Sequence, residues 1–121
     1  MQRIVVVEDD PWIRGVLRDV FTDEGYRVCD AGDGRTGLRL IRAKLPDLVV
    51  LDLAMPEISG MHVLQQLRLD RRTRSVPVVV ITAFAAVLPS QNDTTVSGIL
   101  RKPLDLDQLL AHVRQALEPA V

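Results

Sequence analysis

Leu48-Val49-Val50-Leu51-Asp52-Leu53-Ala54-Met55-Pro56-Glu57-Ile58-Ser59-Gly60 is the stretch from which the fold of this chain can be read. Leu48 to Leu51 is an unbroken apolar run, the pattern of a strand covered on both faces, and Asp52 arrives where that strand ends. A carboxylate there costs solvation energy unless some chemistry uses it. Met55-Pro56 and Gly60 mark a loop, and Ser59 is placed to cap a helix whose apolar positions are Val63, Leu64 and Leu67.

Outward from this stretch, short apolar runs alternate with amphipathic segments. Ile4 to Val7 predicts a first strand, followed by Glu8-Asp9-Asp10-Pro11, where Asp10 suits a helix N-cap and Pro11 the first turn. Ile13, Val16, Leu17, Val20 and Phe21 then share one helical face, and Gly25 ends that helix. Arg27 to Ala31 is a short, more polar edge strand, and Gly32 to Gly34 turns into a helix with Leu38, Ile41 and Leu45 inward. Past the third helix, the arginine cluster Arg68, Arg71, Arg72 and Arg74 reads as a solvated face. Val78 to Ile81 predicts a fourth buried strand ending at Thr82, and Ile99 to Arg101 a weaker fifth ending at Lys102-Pro103. Asp105 with Gln108 resembles a capping box that opens a last helix, with Leu106, Leu109, Leu110, Val113 and Leu117 inward. This alternation predicts right-handed βαβ units in an α/β fold: a doubly wound, five-stranded parallel sheet of flavodoxin-like order 2-1-3-4-5, with helices on both faces. Between Ala83 and Ser97, Pro89, Ser90, Asn92, Asp93, Thr94 and Thr95 leave little material for a helix. A fourth helix before the fifth strand is therefore expected to be short, displaced or mobile.

With 121 residues and 47% apolar content, the chain is long enough for one domain, residues 1–121, with a single core. A net charge of −1 and a pI near 6.1 give no long-range attraction to nucleic acid or anionic lipid. The longest early apolar run, Ile4 to Val7, is too short for a signal peptide or membrane span, and the single Cys29 precludes an internal disulfide. A soluble cytoplasmic protein with no membrane partner is expected. The bases are 13 Arg and only 2 Lys, so a functional lysine stands out.

In open α/β sheets, ligands sit outside the carboxyl ends of the strands. Here those ends carry Glu8-Asp9, Asp52, Thr82 and Lys102, which should converge on one small pocket. Two carboxylates 4 Å apart repel by roughly 4 kcal/mol at an effective dielectric of 20, so the group needs a counter-charge. Lys102 supplies one, and an oxygen-lined acidic site suits a partly hydrated Mg2+. A carboxylate beside two cations is a plausible phosphoryl acceptor, because both neutralise charge on the equatorial oxygens while Thr82 donates a hydrogen bond to one of them. The inference is an aspartyl-phosphate site on Asp52. His62 and His112 fall on predicted helices, away from the strand ends.

Val7-Glu8-Asp9-Asp10, Asp52-Leu53-Ala54-Met55-Pro56 with Gly60, Ile81-Thr82-Ala83 and Lys102-Pro103, in this order and spacing, resemble the response regulator receiver domain of two-component signalling, the CheY-like family. The resemblance covers essentially the whole chain. It implies that Asp52 takes a phosphoryl group from a phosphohistidine on a sensor histidine kinase, or from a phosphotransfer protein or small phosphodonor. It also implies that Asp9 and Asp52 bind Mg2+ directly with the main-chain carbonyl of Ala54, while Glu8 acts largely through water. By the same resemblance, Lys102 pairs with Asp52 and then with the phosphoryl group, and Thr82 is drawn toward that group, reshaping the surface that an unknown downstream protein reads. The Lys102-Pro103 bond is often cis in the family. Such a domain is no enzyme acting on external substrates, yet it catalyses its own phosphorylation and dephosphorylation.

The position three before Lys102, usually aromatic and the switch partner of the threonine, is Ile99, so aromatic rotation cannot carry the signal. Rival readings remain open at this point. A pseudo-receiver would bind partners without phosphorylation, and a haloacid-dehalogenase-type phosphatase would also use an aspartyl nucleophile, though it needs an acid where Ala54 stands. Gly32-Asp33-Gly34-Arg35-Thr36-Gly37 matches the dinucleotide motif G-x-G-x-x-G, but follows a polar second strand, and the acids after the first strand would repel a pyrophosphate. Trp12 reads as a rim side chain and reporter of metal binding, and Cys29 as a small core filler. The run to Glu118-Pro119-Ala120-Val121 fits either a stand-alone regulator or an excised module.

Overall fold

Five apolar runs become five strands in the computed structural model, which describes residues 1–83 and 96–118: β1 (Arg3–Val7), β2 (Arg27–Ala31), β3 (Leu48–Asp52), β4 (Val78–Thr82) and β5 (Gly98–Arg101). All pair in parallel in the order β2-β1-β3-β4-β5. The described helices are α1 (Pro11–Asp23), α2 (Gly34–Lys44), α3 (Gly60–Leu69) and α4 (Leu106–Leu117). The doubtful helix between β4 and β5 falls on residues 84–95, outside the described residues. No described helix is long and apolar enough to cross a membrane.

Strand alternation sends successive side chains to opposite faces, and both faces are covered. Ile4, Val6, Leu48 and Val50 meet Leu17 and Phe21 of α1 and Leu109 and Val113 of α4. Val5, Val7, Val49, Leu51, Val78 and Val80 meet Ile41 of α2 and Val63, Leu64 and Leu67 of α3. Each such aliphatic side chain, moved from water to full burial, contributes roughly 2 kcal/mol. The continuous apolar runs of the central strands are the sequence form of this two-sided burial.

Each helix opens on a residue whose side chain accepts a main-chain N–H that the helix itself leaves unpaired. Asp10 accepts from Trp12 at 2.8 Å, Asp33 from Thr36 at 2.7 Å, Ser59 from His62 at 3.2 Å and Asp105 from Gln108 at 3.1 Å. Such caps contribute typically about 1 kcal/mol each.

Two expectations are corrected. Leu45 does not face inward: α2 stops at Lys44, and Leu45 caps it in a left-handed conformation with half of its surface exposed. The reason is Pro46, whose ring disfavours helical geometry at the residue before it. Arg68 is no part of a solvated face: its Nη1 donates to the carbonyls of Arg74 and Val76, each at 2.8 Å, and so ties the turn that leads from α3 into β4. Beneath it the buried Thr73 hydroxyl donates to Leu67 O at 2.8 Å.

Candidate functional site

The sheet register sets the site. Val7 lies level with Leu51, Asp52 with Ile81, and Thr82 with Arg101. Glu8, Asp52, Thr82 and Lys102 therefore all lie within about two residue steps, each about 3.3 Å, of one line across the carboxyl edge. Glu8 continues the Ile4–Val6 row, Asp52 the Leu48–Val50 row and Lys102 the Leu100 row, which place all three toward the α1–α4 side. Thr82 follows Val78 and Val80, whose row faces α2 and α3, as does Ile99. Thr82 is fully buried, and its carbonyl accepts from the Lys102 N–H at 2.9 Å.

The loop after Asp52 is held by its own main chain. Ala54 N–H donates to Asp52 Oδ1 at 2.9 Å, which fixes the carboxylate. Gly60 N–H donates to Leu53 O at 3.1 Å. A Cβ on Gly60 would lie 2.2 Å from Asp52 O and 2.5 Å from Leu53 Cα, so only glycine lets α3 start this close to the backbone of Asp52. The Lys102-Pro103 peptide is cis.

Lys102 Nζ lies 2.5 Å from Glu8 Oε1 and 3.1 Å from Asp52 Oδ2. The receiver-domain resemblance pairs the lysine with Asp52; the coordinates add Glu8 as the nearer partner. Glu8 has no exposed surface and Asp52 almost none. Burial first, and the Asp52 carboxylate next, push Glu8 up to about 8, against the pull of Lys102. Burial tends to lower Lys102, but Glu8 and Asp52 outweigh it and hold the ammonium above its ordinary value. Two carboxylates and one ammonium shut away from water carry a surplus negative charge, and retaining a proton removes it. We assign that proton to Glu8, because Lys102 faces two acids and keeps its own.

The acids also fit a divalent cation. One carboxylate oxygen each from Glu8, Asp9 and Asp52 lie within 4.8 Å of one another. Among the described residues Glu8 Oε2 is buried without a hydrogen-bond partner, and the donor set is all oxygen, as Mg2+ prefers once the Glu8 proton is released. Beside the site, Trp12, 76% exposed, stands at the rim of an apolar cavity of about 310 Å³ that Ile13, Val16, Lys102, Pro103 and Leu106 help to line.

Sequence reading missed Arg14. Its Nη1 donates to Glu8 O at 2.9 Å and its Nε pairs with Asp30 Oδ2 at 3.1 Å. A weak signal was present: Arg14 lies one helical turn after Asp10, on the helix that opens beside the acids of the first strand end.

The family description "Response regulator receiver domain" matches residues 4–114. A curated relative from Synechocystis sp., the DNA-binding dual master transcriptional regulator RpaA, is 37% identical over 119 residues, covering 97% of this chain and 49% of that protein. The chain thus spans about half the length of that relative. The solved structure of response regulator TrrA from Thermotoga maritima in complex with Mg2+-BeF is 30% identical, with a TM-score of 0.86 over 97% of this chain and 100% of that one. A second structure, of histidine kinase ThkA in complex with TrrA, matches with 30% identity and a TM-score of 0.84 over 98% of this chain and 100% of that one. With the strand order, the acid cluster and these likenesses together, the chain belongs to the response regulator receiver family, the phosphoacceptor domains of two-component signalling.

Proposed function

We propose that Asp52 is the phosphoacceptor of this chain and that its phosphodonor is a phosphohistidine on a sensor histidine kinase or phosphotransfer protein. The observation that carries this reading is a fixed, nearly buried carboxylate whose Oδ2 lies 3.1 Å from an ammonium, beside two further acids. A carboxylate oxygen of Asp52 attacks phosphorus, the phosphorus–nitrogen bond breaks, and its electron pair returns to the imidazole. Lys102 then exchanges its carboxylate partners for phosphoryl oxygens, and the Thr82 hydroxyl donates to another.

Glu8, Asp9, Asp52 and the Ala54 carbonyl would hold Mg2+, which neutralises charge on the transferring group. The TrrA complex with Mg2+-BeF and the ThkA–TrrA complex support cation and kinase as partners. Receiver domains are not classical enzymes, and self-catalysed phosphorylation and its hydrolytic reversal are what this geometry is suited to. The output leaves through the altered surface around Thr82, on the face it shares with Ile99, to a protein target.

Incubation with Mg2+ and a small acyl phosphate tests the reading by mass spectrometry. The chain should gain the mass of one phosphate, and the gain should vanish in Asp52→Asn and in chelator. No gain in the native chain, or a gain that survives Asp52→Asn, refutes it.

A further inference from the structure

Arg14 closes three parts of the fold around one carbonyl. The guanidinium reaches from α1 to the end of β1, where Nη1 donates to Glu8 O, and to β2, where Nε pairs with Asp30. Its side chain is 24% exposed. Above it the turn from β2 into α2 passes so close that a Cβ on Gly32 would lie 2.7 Å from Nη1. The N–H of Glu8 is already tied to β2, donating to Ala31 O at 3.0 Å. Both polar groups of the Glu8 main chain are therefore anchored, one directly and one through Arg14. The carbonyl that Arg14 holds belongs to the planar peptide joining Glu8 to Asp9. Its orientation sets the direction in which the Asp9 side chain leaves the backbone.

We infer that Arg14, seated beneath Gly32, is a positioning residue for the divalent-cation site, fixing the Glu8-Asp9 peptide so that its carboxylates converge with Asp52. The inference rests on the cation reading given above. It also accounts for the first glycine of the G-x-G-x-x-G stretch, which makes room for a guanidinium of the same chain rather than for a phosphate. Electrostatics and positioning predict opposite signs here. A positive charge near a cation site weakens binding, so deleting it should tighten Mg2+ if charge were all that mattered. If Arg14 orients the acids, deleting it should loosen Mg2+, as losses behind metal ligands do.

Mg2+ titrated into the full chain, followed by calorimetry and by Trp12 fluorescence, decides between them. Arg14→Met is expected to weaken Mg2+ roughly tenfold. Gly32→Ala, which keeps every charge but displaces the guanidinium, should weaken it in the same direction, and Arg14→Lys should recover part of the loss. Arg18→Met removes an equal charge from the other partner of Asp30, 3.6 Å away, and should leave the affinity unchanged. Equal or tighter binding by Arg14→Met overturns the inference, as does an equal loss in Arg18→Met. Should Arg14→Met fail to fold, Gly32→Ala and Arg14→Lys carry the decision, and unchanged affinity in both overturns it. A native chain that takes up no Mg2+ refutes the cation site itself, and the inference with it. Uptake lost in Asp9→Asn but retained in the Arg14 and Gly32 variants refutes the inference alone.

Discussion

Glu8 is an acid without exposed surface, facing a second acid across a shared ammonium. In the unfolded chain it releases its proton near 4.5; in the folded, cation-free protein it holds that proton to about 8. Between those values the folded state binds more protons, so stability falls as pH rises through the window. The expected result in chelator is a melting temperature that declines from pH 5 to pH 8, with the decline largely absent in Glu8→Gln. A profile equally steep in both proteins would place the titrating group elsewhere. Lys102 was legible as a site residue because the chain holds only two lysines and this one ends a strand. Its preference for Glu8 was not, because sequence gives the order of strand ends but not the distances between side chains.

At the scale of elements, α3 begins directly against the backbone of Asp52, with only the hydrogens of Gly60 between them. The Cβ introduced by Gly60→Ala has nowhere to go, since the atoms it would strike are main chain and cannot rotate aside. The substitution should cost about 1–3 kcal/mol, the range of an overpacked core, and displace the Asp52 loop. Urea unfolding of the variant checks the first part, and a loss below 0.5 kcal/mol, the surface range, would refute it. Strands and caps were legible because they depend on local pattern: Asp10, Ser59 and Asp105 cap the helices they were expected to cap. Arg68 was not legible. It stands among Arg71, Arg72 and Arg74 with nothing in composition to separate it, and only the path of the turn places three carbonyls around one guanidinium. Leu45 failed for a related reason: its spacing continues the α2 stripe, but Pro46 stops the helix one residue too early.

For the whole molecule, alternation and the handedness rule gave the parallel, doubly wound sheet, and five strands in a chain of this length suited the flavodoxin-like order that the structure has, so the convergence of the strand ends could be expected without coordinates. What alternation cannot supply is the support behind the acids, such as Arg14, since it depends on how α1 packs against the end of β2. Because the proposed cation ligands lie just after β1 and at the end of β3, an ion bound there would join segments that unfolding would separate. Mg2+ at a hundredfold excess over its dissociation constant should stabilise the fold by about 2.7 kcal/mol, and the gain should disappear in Asp9→Asn. Thermal scans with and without chelator measure it, and a melting temperature indifferent to Mg2+ would refute a site built across the sheet.

Where α3 meets the acceptor, hydrogen takes the place of a side chain, and the two stretches of backbone behave as one lever. Any tilt of the Asp52 peptide has to swing the first turn of that helix, since no soft group lies between them to absorb the motion. The exposed His62 and Gln65 ride on the same helix, so a spectroscopic label there would register events at Asp52 through displacement of α3.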